Sequence, residues 1–96
     1  MKIGLIRIEI FIKSSRSLKD KRRIIKSLIQ KLKSKFSNLS VSEVGHLNSW
    51  KKSMIAIVTV SNEITHINSV VDKVLNYINE GNNYQVVRSE FELLNY

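Results

Sequence analysis

Isoleucine occupies every even position from Ile6 to Ile12, with Arg7, Glu9 and Phe11 between. Alternation at period two with β-branched side chains predicts a strand over Lys2 to Lys13 with one buried face. The period then changes. Leu18, Ile25, Leu28, Ile29, Leu32 and Phe36 recur on one side of a predicted helix running from Leu18 to about Phe36. Ser17-Leu18-Lys19-Asp20 stands at its start as a capping box, in which Ser17 and Asp20 satisfy free N–H groups. Leu39 to His46 and Met54 to Val60 read as two more strands, joined by the polar hairpin Leu47-Asn48-Ser49-Trp50-Lys51-Lys52. A second helix follows, capped by Ser61 or Asn62, with Ile64, Ile67, Val70, Val71, Val74, Leu75 and Ile78 at three- and four-residue spacing. Gly81 is expected to end it in the left-handed conformation. Val86 to Leu94 forms the last strand, with Val87, Phe91 and Leu93 on one face.

The order β-α-β-β-α-β predicts a ferredoxin-like α+β sandwich, a four-stranded antiparallel sheet with both helices on one face. Ile6, Ile8, Ile10, Leu28, Leu32, Val71, Val74 and Phe91 are expected to share its core. With 96 residues, 43% of them hydrophobic, the chain reads as a single domain over 1–96. On the open sheet face, Arg7 and Glu9 should lie beside Arg88, Glu90 and Glu92 and form cross-strand ion pairs. A large dry dimer interface there is not expected, because desolvating those charges is costly.

Charge changes the picture. Residues 13 to 35 hold ten Lys/Arg and only Asp20 as an acid, while the whole chain has a net charge of +8. The excess is therefore local, and a local excess attracts polyanions and releases their counterions. At about 100° per residue, Lys19, Arg22, Arg23, Lys26 and Lys33 fall on one flank of the first helix. Lys13 and Arg16 enter from the preceding turn, and Asp20 is assigned to capping. Such a ridge can meet nucleic-acid phosphates, Arg with two parallel bonds and Lys as a point charge. The alternative is a solvated face, but that normally interleaves Glu with Lys four residues apart, and those acids are missing.

Other chemistries find little footing. The chain has no Cys, so disulfides and thiolate metal sites are excluded. No apolar run has the length of a membrane span, and a cytoplasmic protein with no membrane attachment is expected. His46 and His66 lack zinc-ligand spacing, no serine sits in a nucleophile elbow, and three scattered glycines make no phosphate loop. No cofactor, no metal and no enzymatic activity are expected. The base-stacking pattern of RNA-recognition sheets is absent from Lys52-Ser53-Met54-Ile55-Ala56-Ile57. In the hairpin, His46 reads as a polar edge residue. Trp50 reads first as a packing plug over the sheet edge and second as a nucleotide-stacking ring backed by Lys51 and Lys52.

Met1 to Arg23, with its strand, Ser14-Ser15-Arg16 turn and Ser17-Leu18-Lys19-Asp20-Lys21-Arg22-Arg23, resembles the YlxP-like family of small bacterial proteins. Val44 to Trp50 and Val60-Ser61-Asn62 extend that resemblance over nearly the whole chain. The family often has an acid and a Gln around the His of the second strand, where this chain has Gly45, Leu47 and Asn48. The resemblance implies this same fold, an unknown function, and genes neighbouring those for transcription elongation, translation initiation and small-subunit maturation. The expectation is a small RNA-binding or ribosome-associated factor, monomeric or weakly homodimeric. It would contact phosphates through Lys13, Arg16, Lys19, Arg22, Arg23, Lys26 and Lys33, with Trp50, Lys51 and Lys52 on the hairpin. The alternative is a protein-interaction module, a homodimer or a dock for an acidic partner, without nucleic-acid binding.

Overall fold

The computed structural model describes residues 1–96. The chain runs β1 (Lys2–Phe11), α1 (Leu18–Lys35), β2 (Ser40–Gly45), β3 (Lys52–Ser61), α2 (Ile64–Asn79) and β4 (Gln85–Asn95). The strands form one sheet in the order β2-β3-β1-β4, and every neighbouring pair is antiparallel. This is the ferredoxin-like arrangement that the order of periodicities predicts.

Register explains which residues face inward. Ile6, Ile8 and Ile10 of β1 stand opposite Ile57, Ile55 and Ser53 of β3, all of them buried. The apolar stripes of both helices close over this row, so Ile25, Leu28 and Leu32 join Ile67, Val71, Val74 and Ile78 in one core. Burying each such side chain stabilises the fold by roughly 1.5–3 kcal/mol. α2 lies over β1 and β3, and α1 lies over β2. Gly4 lets α2 approach closely, since a Cβ there would stand 2.8 Å from Cγ2 of Ile67.

Three expectations need correction. Phe91 faces inward as predicted but is 43% exposed, because β4 is an edge strand that α2 barely covers. Neither Ser61 nor Asn62 is the N-cap of α2. Glu63 holds that position without a side-chain bond, while Ser61 Oγ accepts from the Glu63 N–H at 3.1 Å. Gly81 does not adopt a positive φ, and α2 ends instead through Glu80 in a right-handed conformation. Gly81 is small for a steric reason. A Cβ there would lie 2.3 Å from Oη of Tyr84, whose hydroxyl donates to the Ile78 carbonyl at 2.6 Å. The left-handed positions are Asn38 and His46.

On the open face, Arg7 stands opposite Glu90 with a 3.0 Å ion pair, and Glu9 stands opposite Arg88. Arg88 also reaches Glu90 along its own strand at 3.4 Å. The expected cross-strand ion pairing is thus present between Arg7 and Glu90, while Glu9 lies 3.4 Å from His46 Nε2 and Arg88 turns to its own strand. No helix is long and apolar enough to cross a membrane.

Candidate nucleic-acid interface

α1 starts where its capping chemistry requires. Ser17 Oγ accepts from the Asp20 N–H at 3.0 Å, and Asp20 Oδ2 accepts from the Arg16 N–H at 3.2 Å. This reciprocal cap fixes the direction of the β1–α1 turn, which carries Lys13 and Arg16. Buried Ser15 fastens it further by donating to the Ser17 carbonyl at 3.1 Å.

Beyond the cap, Lys19, Arg22, Arg23, Lys26 and Lys33 are all exposed, as are Lys13 and Arg16. The ion pairs of the molecule use Arg7, Lys21, Arg23, His46 and Arg88. Lys13, Arg16, Lys19, Arg22, Lys26 and Lys33 thus have no acidic partner. Arg23 has only a loose one, Asp20 at 3.9 Å, between two largely solvated side chains, where screening leaves little net attraction.

The hairpin joins this end of the molecule. The Ile12 N–H donates to the Lys51 carbonyl at 2.7 Å, and Lys51 Nζ donates to the Lys13 carbonyl at 2.6 Å. Lys52 pairs with Phe11 at the end of β1. Residues far apart in sequence, Lys13 and Arg16 on one side and Lys51 and Lys52 on the other, are thereby stitched together. Lys33 is not part of that cluster. It lies fourteen residues beyond Lys19, about 21 Å along the helix axis, in the last turn, where a cation complements the free carbonyls.

Trp50 is 57% exposed, so it does not act as a packing plug. Its polar neighbours explain why. Ser49 Oγ accepts from the N–H groups of Lys51 and Lys52 at 3.4 and 3.1 Å, which forms the turn without help from the indole. His46 sits just past β2 in a left-handed conformation, its Nε2 3.4 Å from Glu9 Oε2 on the open face.

One functional-looking residue is absent from the sequence-derived interface because it belongs to the fold. Lys21 is completely buried, and its Nζ meets Glu43 Oε2 at 2.7 Å and the His46 and Leu47 carbonyls at 2.9 and 3.4 Å. Ser53 Oγ donates to the same Glu43 oxygen at 2.7 Å. This network ties α1 to both arms of the hairpin and removes one cation from the outward ridge. A signal was available: Lys21 lies four residues before Ile25 and seven before Leu28, in the centre of the apolar stripe.

Two concavities flank the α2–β4 loop, one of about 490 Å³ facing α1 and one of about 240 Å³ facing the β1–α1 turn. Tyr84 stands at both. Burial, together with the neighbouring Tyr77, pushes its phenol up to about 12. No group of three or more His, Cys, Asp or Glu residues is placed to hold a metal ion. Chemically, the end formed by the β1–α1 turn, the start of α1 and the hairpin offers unpaired cations and one solvent-facing indole.

The sequence profile of a protein family of unknown function, DUF503, matches residues 3–91. An uncharacterized protein, YlxP of Bacillus subtilis (strain 168), is 32% identical over 76 residues, which covers 79% of this chain and 82% of that one. Among solved structures, the de novo designed protein Foldit4 aligns over 98% of both chains at TM-score 0.53 and 16% identity, a likeness of fold alone. A second designed protein with a ferredoxin fold, LFR1 1, covers 98% of this chain and 84% of its own at TM-score 0.41 and 7% identity. The chain belongs to the DUF503 family of YlxP-like proteins.

Proposed function

We propose that this member of the DUF503 family is an RNA-binding, ribosome-associated factor of the cytoplasm, held on phosphates by the start of α1, the β1–α1 turn and the hairpin. One observation carries the reading: Lys13, Arg16, Lys19, Arg22 and Lys26 are exposed without acidic partners, at the same end as an exposed Trp50. Unpaired cations beside an aromatic ring suit a phosphate backbone with accessible bases. Phosphate contacts position a protein without reading sequence, so affinity should vary little among unrelated RNAs of equal length. Fluorescence anisotropy with labelled RNA, competed by polyglutamate, tests this. RNA should hold against the competitor, and equal displacement would reduce the surface to a general cation exchanger. Cross-linking in living cells, followed by sequencing of the attached RNA, should recover ribosomal RNA.

A second reading, a protein-interaction module without nucleic-acid binding, draws on β4. This edge strand leaves Val87, Phe91 and Leu93 57%, 43% and 38% exposed. Strand addition by a second copy would cover them. Sedimentation of the protein alone separates the two, since only this reading requires self-association that Phe91→Lys abolishes.

A further inference from the structure

Two concavities lie on either side of the α2–β4 loop, and Asn82, Asn83 and Tyr84 line both. Their cations are spread out: Arg23 and Lys31 of α1 line one and Lys13 lines the other. Aromatic rings lie in both, Tyr77 and Tyr84 in the first and Phe11 in the second. Asn82 and Asn83 are exposed at the shared rim, each offering an amide donor and acceptor. Glu80 is the acid among the lining side chains.

We infer that the two concavities act together as one trough, a track for single-stranded RNA, with phosphates on Arg23, Lys31 and Lys13, bases on the aromatic rings, and base edges met by Asn82 and Asn83. The inference rests on the RNA reading above and narrows it from any polyanion to an unpaired strand. Cations lining the same concavities as rings suit a single strand, because each nucleotide presents one charge and one stackable face. The larger concavity, about 490 Å³, falls within the roughly 300–1,000 Å³ of small-ligand sites. The loop is also held in place. Tyr84 packs against Gly81 and donates its hydroxyl to the Ile78 carbonyl, so the wall it forms is anchored to the end of α2. With that hydroxyl engaged, Tyr84 offers its ring alone. The phenol stays neutral well above physiological pH and so places no anion beside a phosphate.

The test is anisotropy with a labelled single-stranded hexanucleotide and with a fully paired RNA hairpin. Asn82→Asp with Asn83→Asp adds two charges at exposed loop positions, so folding should persist, as circular dichroism will verify. Single-strand affinity should fall by about tenfold or more, because two carboxylates replace neutral amides beside the bound phosphates. The control, Asn62→Asp with Asn68→Asp, makes the same change in net charge at exposed positions away from the trough and should cost less than about threefold. Glu80→Gln should tighten binding. Equal losses for the two Asp pairs would overturn the track, as would hairpin binding as tight as single-strand binding, or an unchanged affinity in Glu80→Gln. Lys19→Gln with Arg22→Gln lies outside the trough and reports on the ridge alone. If that pair weakens RNA binding while the loop pair does not, the track fails and the RNA reading stands. If the wild-type protein binds no RNA, both fall, and if polyglutamate displaces the hexanucleotide equally, the surface is a general cation exchanger and the track fails.

Discussion

Lys21 and Arg22 are consecutive residues of one helix, and their surroundings are opposite. Lys21 is completely buried, with Glu43 and two hairpin carbonyls around its ammonium, whereas Arg22 is exposed and has no acidic partner. One helical step of about 100° separates a structural cation from an available one. Charge counted along the sequence does not distinguish them, and position on the helix does. A basic run is thus two arrangements: an internal tie that docks α1 on the hairpin, and an exposed outer ridge whose cations have no close acidic partner.

The sharpest way to break this contrast is to remove the buried member. Lys21→Met should destabilise the protein by up to about 3–5 kcal/mol, because it leaves Glu43, whose side chain is only 17% exposed, without its counter-ion. Lys21→Met with Glu43→Leu should recover most of that loss, since an apolar pair replaces a buried ion pair at little cost. Urea unfolding measures both. A single variant as stable as the wild type would mean that the network does not hold the hairpin.

Trp50 extends the comparison to the hairpin that Lys21 anchors. With 57% of its surface exposed, Trp50→Ala should leave thermal stability nearly unchanged. It should weaken RNA binding by roughly 1–3 kcal/mol, and RNA should quench the wild-type indole fluorescence. A fall in melting temperature with unchanged affinity would return Trp50 to a packing role.

Tyr84 supplies a smaller, pH-dependent version of the same contrast. Burial and then Tyr77 raise its phenol from 10.0 to about 12, so folding favours the protonated form. The contribution is fully present below pH 10 and is lost as pH rises through about 12. Ultraviolet titration should show a late phenolate step near pH 12 that Tyr84→Phe removes. Its absence would mean that the phenol is not buried beside Tyr77.

The fold was legible because each element carries a clean period: the alternating isoleucines of β1, the stripe of α1, and Ile67, Val71, Val74 and Ile78 of α2. What failed to show depends on the third dimension. Alternation places Phe91 on the inner face correctly, but whether a helix covers that face depends on where α2 lies across the sheet. Gly81 reads as a left-handed stop because that is the common use of a glycine after a helix, while its actual constraint is the ring of Tyr84. At the candidate interface, the ridge on α1 was legible from spacing, and its union with the hairpin depends on tertiary hydrogen bonds. Lys21 was concealed by its neighbours, since a cation within a basic run draws no notice unless it is placed on the helical wheel.

The measurement that bears most directly on the central claim is the salt dependence of RNA affinity for the wild type and for Arg22→Gln with Arg23→Gln. Both arginines are exposed and Gln keeps helix propensity, so the change in stability should stay within about 0.5 kcal/mol. Phosphate contacts from Arg16, Lys19, Arg22, Arg23 and Lys26 predict a log–log slope of about −3.5 for a single strand, at roughly −0.7 per neutralised phosphate. The double variant should shrink that slope by about 1.4, with similar losses across unrelated RNA sequences. A folded variant with unchanged affinity and unchanged slope would contradict the account and leave the outer ridge as a solvated face.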